Sequence, residues 1–173
     1  MFLTEIYQSR SKVVYHGAMQ DFDKFDLSRI GENADKGGWG IYLSESEEVA
    51  KQYTPEGNPI IKKIVLPSGR YFDLDGSLDE SLFNDLMESL EYFDESVYNK
   101  AQSLRDEVES YGFYEMNLTG FNFYDILSYD FGSKKKMSLF LKDYGLLGNT
   151  FMDKTQPSIR NYVLFSADRL RSA

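Results

Sequence analysis

The sequence has no cysteine and only one histidine among its 173 residues. Without cysteine the chain can form neither disulfides nor thiolate metal sites. A lone histidine also argues against a zinc site, since such sites draw several ligands from histidine and cysteine. We therefore predict that the protein holds no metal ion.

The chain also lacks two features that direct proteins to membranes. No apolar run approaches about 20 residues, the length that a helix needs to span a bilayer. The first five residues have neither the basic start nor the apolar middle of a signal peptide. These absences predict a cytoplasmic protein with no membrane partner.

Positive charge is scarce. The chain has 19 Lys and Arg against 28 Asp and Glu, which gives a formal net charge of −9. Such a surface repels phosphate backbones, so we expect no direct non-specific binding to nucleic acid. It favours a partner with a basic surface, although the acidity could also serve solubility alone.

Aromatic side chains, by contrast, are abundant, with 13 Tyr and 13 Phe. The simplest interpretation is a core built on rings instead of branched aliphatic side chains. The length fits one domain with a substantial core. Hydrophobic content of 42% and charged content of 27% are ordinary for a soluble globular protein. We predict a single domain over residues 1–173.

Two spacings of apolar residues predict an α+β fold. Short apolar runs between turn residues predict strands at residues 12–16, 40–43, 60–66, 70–74 and 161–165. Apolar residues three and four apart predict helices at residues 45–53, 78–108, 121–129 and 133–144. The first helix is expected to have Ser44 as its N-cap, with Glu47 completing a capping box. The long second helix is expected to break near residues 94–96.

The single histidine lies in the segment Tyr15-His16-Gly17, at the end of the first predicted strand. A neutral imidazole can donate one hydrogen bond and accept another, which suits a pair of sugar hydroxyls. The peptide of Gly17 has no side chain in front of it and could meet a planar carboxamide. Tyr42 and Tyr53, separated by ten residues, could hold an aromatic ring between them. Nicotinamide joined to ribose has all three of these chemical groups.

Each of these signals also has a structural interpretation. A lone histidine at a strand end is commonly a structural residue, and among 13 tyrosines the spacing of Tyr53 proves little by itself. Trp39 could cover the pocket or anchor the loop of residues 37–40 in the core, and we expect the second. The prediction of a pocket rests on the combination of residues.

The same segments resemble the ADP-ribosyltransferases of the diphtheria-toxin and PARP type, whose signature is a His, a Tyr and a Glu on three separate strands. The similar segments are Tyr15-His16-Gly17-Ala18, Gly38-Trp39-Gly40-Ile41-Tyr42-Leu43-Ser44, Tyr53 and Arg160-Asn161-Tyr162-Val163-Leu164-Phe165. The MuF-linked and polyvalent-protein transferase domains of phages and mobile elements also have a stretch similar to Leu127-Ser128…Gly132-Ser133-Lys134-Lys135. The resemblance covers residues 12–66 and 119–172. Residues 77–110 lie outside it and are expected to form a helical insertion.

The resemblance implies two small packed sheets around a cleft that binds NAD as co-substrate. His16 would bind the ribose hydroxyls, Gly17 the carboxamide through its backbone, and residues 37–40 would flank the dinucleotide. Tyr42 and Tyr53 would stack on the nicotinamide. The residues expected to bind NAD are Tyr15, His16, Gly17, Gly40, Tyr42, Ser44 and Tyr53. The residues expected to act in catalysis are His16, Tyr42 and Asn161.

Asn161 departs from the family pattern, because it stands where the family has its glutamate. An amide can hydrogen-bond a ribose hydroxyl but cannot supply a full negative charge to the oxocarbenium-like state. Asp153 or Asp168 could provide a carboxylate from a neighbouring turn, and Gln156 is another polar alternative. The departure implies transfer of single ADP-ribose units instead of chain building.

We therefore expect a mono-ADP-ribosyltransferase that modifies a macromolecule, specifically a host protein with a basic surface. By analogy with the phage domains, it would be an effector such as an anti-CRISPR protein or a toxin that acts in the host cytoplasm. Two alternatives stay open. One is an NAD glycohydrolase with the same pocket, and the other is a non-catalytic acidic binding protein on the same fold.

Overall fold

The computed structural model describes residues 6–31 and 36–173, and the eight strands and six α-helices of this part confirm the predicted α+β class. The strands are β1 (Ile6–Ser9), β2 (Lys12–Ala18), β3 (Ile41–Ser44), β4 (Ile60–Leu66), β5 (Gly69–Asp73), β6 (Gly148–Met152), β7 (Arg160–Leu164) and β8 (Arg171–Ser172). The helices are α1 (Glu47–Lys51), α2 (Glu80–Phe93), α3 (Glu95–Tyr111), α4 (Phe113–Met116), α5 (Gly120–Phe131) and α6 (Lys134–Asp143).

All eight strands belong to one curled sheet in the order β1-β5-β6-β7-β3-β2-β4-β8. Strands β2 and β4 pair over seven positions, from Lys12↔Leu66 to Ala18↔Ile60. Strands β2 and β3, in contrast, share the single pair Tyr15↔Ser44. The two small sheets predicted from the resemblance are thus two halves of one sheet, joined at this pair. Beyond it β2 and β3 separate.

The core has two apolar clusters. The larger one joins β5 to helices α2–α6, and the smaller one lies among strands β2–β5 and β7. Aliphatic side chains outnumber rings in both clusters, so the prediction of a core built on rings instead of branched aliphatic side chains is wrong. The largest side chains with almost no solvent exposure are Tyr71, Tyr124, Tyr162, Phe72, Phe83, Phe123, Phe140 and Phe165.

The long helical region breaks at Asp94, as its sequence predicts. Asp94 ends α2 and is also the N-cap of α3, where its carboxylate accepts the backbone N–H groups of Ser96 and Val97, both at 3.1 Å. One face of each helix is buried by apolar residues at the predicted spacing of three and four. No helix of residues 6–31 and 36–173 combines the length and apolar character needed to cross a membrane.

Helix α1 begins two residues later than predicted. Its N-cap is Ser46, whose hydroxyl accepts the N–H of Val49 at 3.3 Å. Ser44 is instead the last residue of β3, and its hydroxyl accepts the N–H of Ser46 at 3.1 Å. The predicted capping box is therefore wrong. Glu47 lies inside the first turn and forms an ion pair with Lys51 at 3.5 Å.

Candidate functional site

A cleft of about 720 Å³ lies where β2 and β3 separate. It is lined by the end of β2, the loop that follows it, strand β3, helix α1 and one residue each from β6 and β7. All the site residues predicted from the sequence line this cleft: Tyr15, His16, Gly17, Gly40, Tyr42, Ser44, Tyr53 and Asn161. The structure therefore brings together residues from four separate segments of the chain.

His16 bridges the opening between the two strands. Its Nδ1 lies 2.7 Å from the backbone carbonyl oxygen of Tyr42. A carbonyl oxygen only accepts, so Nδ1 carries the hydrogen and, in the neutral ring, Nε2 is left as an acceptor. The rings of Phe22 and Phe25 pack edge-on against the imidazole, with centroids 5.7 and 4.9 Å away.

The charge state of His16 follows from this environment. Burial lowers the pKa of His16 below its usual 6.5, and this outweighs the opposing effect of the hydrogen bond to Tyr42. The positive charge of Lys62 lowers the pKa further. The imidazole is neutral at pH 7. The expectation that both ring nitrogens meet ligand hydroxyls is wrong, because the protein itself occupies Nδ1 and only Nε2 remains.

The packing of α1 against β2 requires a glycine at position 17. A Cβ atom at this position would lie 1.9 Å from the carbonyl oxygen of Ala50 in α1, which no side chain could tolerate. The absence of a side chain therefore lets α1 lie directly against β2. The same close approach leaves the backbone of Gly17 in the wall of the cleft.

Tyr42 and Tyr53 face each other across the cleft as predicted. Their ring centroids are 6.4 Å apart with an angle of 39° between the planes. A flat ring inserted between them needs about 3.5 Å on each side, or about 7 Å in all. The hydroxyl of Tyr42 donates to the carbonyl of Gly38 at 2.9 Å, whereas Tyr53 is 46% exposed. At their present separation the two rings leave slightly less room than an inserted planar ring needs.

Trp39 anchors the glycine-rich loop in the core, as expected. It is only 3% exposed, and its backbone N–H donates to the hydroxyl of Tyr124 at 3.1 Å. Its carbonyl accepts from Ser138 at 2.9 Å, and the ammonium of Lys135 lies 5.6 Å from its ring centroid. Ser133 caps α6, which carries Lys135 and Ser138. The Gly-Ser-Lys-Lys stretch therefore supports the loop that holds Tyr42.

Asn161 reaches the cleft from β7, opposite Ser44 of β3. It is 6% exposed, and its Nδ2 donates to Oδ2 of Asp153 at 3.1 Å. Its Oδ1 is buried and has no hydrogen-bond partner within residues 6–31 and 36–173. A buried polar atom that stays without any partner costs about 1–3 kcal/mol.

The three alternatives for the missing acid lie in different places. Asp153 contacts Asn161 directly, as described. Asp168 accepts a hydrogen bond from Ser166 at 2.5 Å in the turn after β7. Gln156 is exposed, and its backbone N–H donates to Asp153 at 2.9 Å. Of these three residues, Asp153 is the one whose side chain is hydrogen-bonded to Asn161.

Sequence reasoning did not identify two cations of the cleft, Lys24 and Arg29. Both lie in the loop between β2 and β3, where Arg29 also forms an ion pair with Asp26 at 3.7 Å. The apolar residues Phe22 and Phe25 hold this loop against His16. No spacing rule assigns an isolated Lys or Arg in a loop to a ligand.

A metal centre is not formed by the described residues. No group of three or more His, Asp or Glu side chains in that part of the chain is placed to hold a metal ion.

The family model for ADP-ribosyltransferases in polyvalent proteins matches residues 8–173. The chain belongs to this family. The resemblance recognised in the sequence is thereby confirmed. No curated protein matches the sequence significantly. Membership implies that NAD is the substrate of this ADP-ribosyltransferase domain and that the acceptor of the ADP-ribose is, in general, a macromolecule.

Proposed function

We propose that this ADP-ribosyltransferase domain transfers one ADP-ribose unit from NAD to a protein. The observation that carries the proposal is the wall made by His16, Gly17, Tyr42 and Tyr53, which lies within a single cleft of about 720 Å³. It offers a hydrogen-bond acceptor, an open backbone and two facing rings. These match the ribose, carboxamide and pyridine ring of the nicotinamide nucleoside.

In this proposal, Nε2 of His16 accepts from a hydroxyl of the nicotinamide ribose. The nicotinamide ring enters between Tyr42 and Tyr53, and the backbone of Gly17 meets its carboxamide. Lys24 and Arg29 supply positive charge for the diphosphate, since both line the same cleft. Tyr15, Gly40 and Ser44 complete the wall around the nucleoside.

The chemistry breaks the bond between the anomeric carbon of the ribose and the nicotinamide nitrogen. Nicotinamide leaves with the electron pair and becomes neutral, and the sugar acquires oxocarbenium character. A nucleophilic side chain of the acceptor attacks the anomeric carbon and loses its proton. Negative charge or an acceptor dipole near the sugar stabilises this state. Asn161 provides the amide oxygen at the position that the family gives to glutamate.

The acceptor proposed here is a host protein with a basic surface. Residues 79–116 contain eleven Asp and Glu against two Lys and Arg, and this difference equals the whole net charge of −9. The other residues balance at seventeen of each sign. Exposed tyrosines accompany the acidic helices: Tyr92, Tyr111 and Tyr114 are 84%, 72% and 74% exposed. Carboxylates with aromatic rings attract Lys and Arg side chains.

The biological role proposed is that of a phage or mobile-element effector, such as an anti-CRISPR protein or a toxin. It rests on the family's occurrence in polyvalent proteins and on analogy. A host lysate is therefore the appropriate source of acceptors.

The proposal is tested by measuring release of nicotinamide from NAD with and without a bacterial lysate. We expect release by the wild-type protein to depend on the lysate and to fall at least about a hundredfold in Tyr42→Ala. Lys142→Ala, on the exposed side of α6, is the matched control and should resemble the wild type. Equal release without lysate would instead indicate an NAD glycohydrolase. Absence of release in both conditions would contradict transfer and favour a binding protein.

A further inference from the structure

We propose that Asp153 is a positioning residue that acts through Asn161, fixing the orientation of its amide and placing a negative charge one side chain away from the cleft. The inference rests on the proposed transfer from NAD. It concerns how that site stabilises positive charge on the sugar without the expected glutamate. The carboxylate and the amide would together replace one acidic side chain.

Asp153 is held in place by its own turn. Its Oδ1 accepts from the backbone N–H of Thr155 at 2.9 Å, from the Thr155 hydroxyl at 2.7 Å and from the N–H of Gln156 at 2.9 Å. Its backbone N–H donates to the carbonyl of Ile159 at 2.8 Å. These bonds use one carboxylate oxygen and leave Oδ2 directed at Asn161.

The contact with Asp153 determines which end of the Asn161 amide is left over. An ionised carboxylate only accepts hydrogen bonds, so the amide nitrogen must face it. The amide oxygen, Oδ1, then has no hydrogen-bond partner within the described part of the chain, although Asn161 lines the cleft. This oxygen is buried, so a ligand hydroxyl at the wall would meet it only after neighbouring side chains move. Without Asp153 the amide could turn and present a donor instead.

Asp153 is ionised at neutral pH. Burial alone would raise its pKa, but the hydrogen bonds from Thr155, Asn161 and Gln156 together outweigh that effect and hold the pKa below its usual value. Polarisation by the carboxylate makes the amide oxygen a stronger acceptor. The negative charge also favours a nearby sugar that develops positive charge.

The inference is tested by exchanging the two side chains. In Asp153→Asn the new amide oxygen can still accept from Thr155 and Gln156, but the charge is lost. We expect kcat for nicotinamide release to fall about tenfold to a hundredfold while KM for NAD changes by less than about threefold. Adding Asn161→Asp restores a carboxylate–amide pair in reverse order and should recover most of kcat. Asp168→Asn is the matched control and should behave as the wild type.

A purely structural role for Asp153 would give a different pattern. Asp153→Asn would then lower the melting temperature and leave kcat of the folded protein within about twofold of the wild type. Failure of the double variant to recover kcat, with its fold intact by circular dichroism, would also overturn the inference. If Asp153→Asn and Asp168→Asn both keep wild-type kcat, the inference fails and the transfer reaction stands.

A second readout does not need turnover. The side-chain NH₂ signals of Asn161 in an ¹⁵N spectrum should titrate with the Asp153 carboxyl and shift when NAD is added. Signals that change neither with the titration of Asp153 nor with the addition of NAD would overturn the inference. Signals that respond to both in a protein that never releases nicotinamide would overturn the proposed transfer while supporting the placement of the pair.

Discussion

At the scale of single residues, other groups of the protein already bind the hydrogen-bond donors of His16 and Asn161. The Nδ1 hydrogen of His16 is taken by the carbonyl of Tyr42, and the Nδ2 group of Asn161 is taken by Asp153. What remains is an acceptor on each, Nε2 of His16 and Oδ1 of Asn161. Both side chains line the cleft, although Oδ1 of Asn161 is buried within its wall.

The protonation of His16 gives a testable pH dependence. Burial lowers its pKa below 6.5, so the imidazole stays neutral at pH 7 and becomes protonated only as the pH falls further. The imidazolium has a hydrogen on both nitrogens and cannot accept. NAD affinity should therefore be full at neutral pH and decline only at pH values lower than those at which a free histidine is protonated. Calorimetry would measure this, and His16→Gln should bind more weakly with no change over the same range. Affinity that increases on acidification would contradict this role.

Gly17 gives a prediction about stability. Gly17→Ala places a methyl group 1.9 Å from the carbonyl oxygen of Ala50, so α1 must move away from β2. We expect a loss of about 2–3 kcal/mol in the free energy of unfolding, measured with urea. Gly31→Ala is the matched control, since its Cβ meets no atom within 4 Å, and it should change stability by less than about 0.5 kcal/mol. Equal losses in both variants would show that the close contact is unimportant.

At the scale of secondary-structure elements, periodicity predicted most of the fold. The strands with long apolar runs, such as β2 and β4, and helices α2, α3, α5 and α6 follow from it. Strands β1, β6 and β8 were missed because they are short or polar and are defined by their partners in the sheet. The start of α1 was missed because Ser44 and Ser46 are both capping residues, and the end of β3 decides between them.

In the site, too, some properties follow from the sequence and others depend on the fold. Motif order brought His16, Tyr42 and Asn161 to attention, but the tautomer of His16 depends on where β2 and β3 separate. The contact between Asp153 and Asn161 depends on the turn between β6 and β7. Neither property is a matter of sequence spacing.

Asp94 allows the break between α2 and α3 to be tested. Its carboxylate caps α3 through Ser96 and Val97, and these bonds lower the pKa of Asp94. Asp94→Ala should lower the free energy of unfolding by about 1 kcal/mol. Asp106→Ala, at an exposed position inside α3, should have little effect. If the two substitutions cost the same, the cap is not what ends one helix and starts the next.

At the scale of the whole molecule, the excess of negative charge lies away from the cleft. The acidic surface of α2–α4 carries the net charge, while the cleft includes Lys24 and Arg29. In the proposed function, this separation would let one part of the molecule attract a basic acceptor while another accommodates an anionic dinucleotide.

The acidic surface should affect modification of the acceptor without affecting NAD. Replacing exposed Glu88 and Glu91 of α2 by Lys is expected to lower kcat/KM for the acceptor by about threefold to thirtyfold at low salt. The dissociation constant of NAD should stay unchanged. Glu56→Lys with Asp143→Lys makes the same change in net charge elsewhere and is the control. Equal loss in the control would mean that net charge alone, and not α2, directs the acceptor.

The central claim is that this cleft transfers ADP-ribose from NAD to a macromolecule. The most direct measurement is incorporation of label from adenylate-labelled NAD into lysate proteins, with the wild type, His16→Ala and the control Lys142→Ala compared at equal concentrations of folded protein. The account predicts one or more labelled proteins with the wild type and with Lys142→Ala, and none with His16→Ala. Label that appears equally with His16→Ala, or with none of the three proteins, would contradict it.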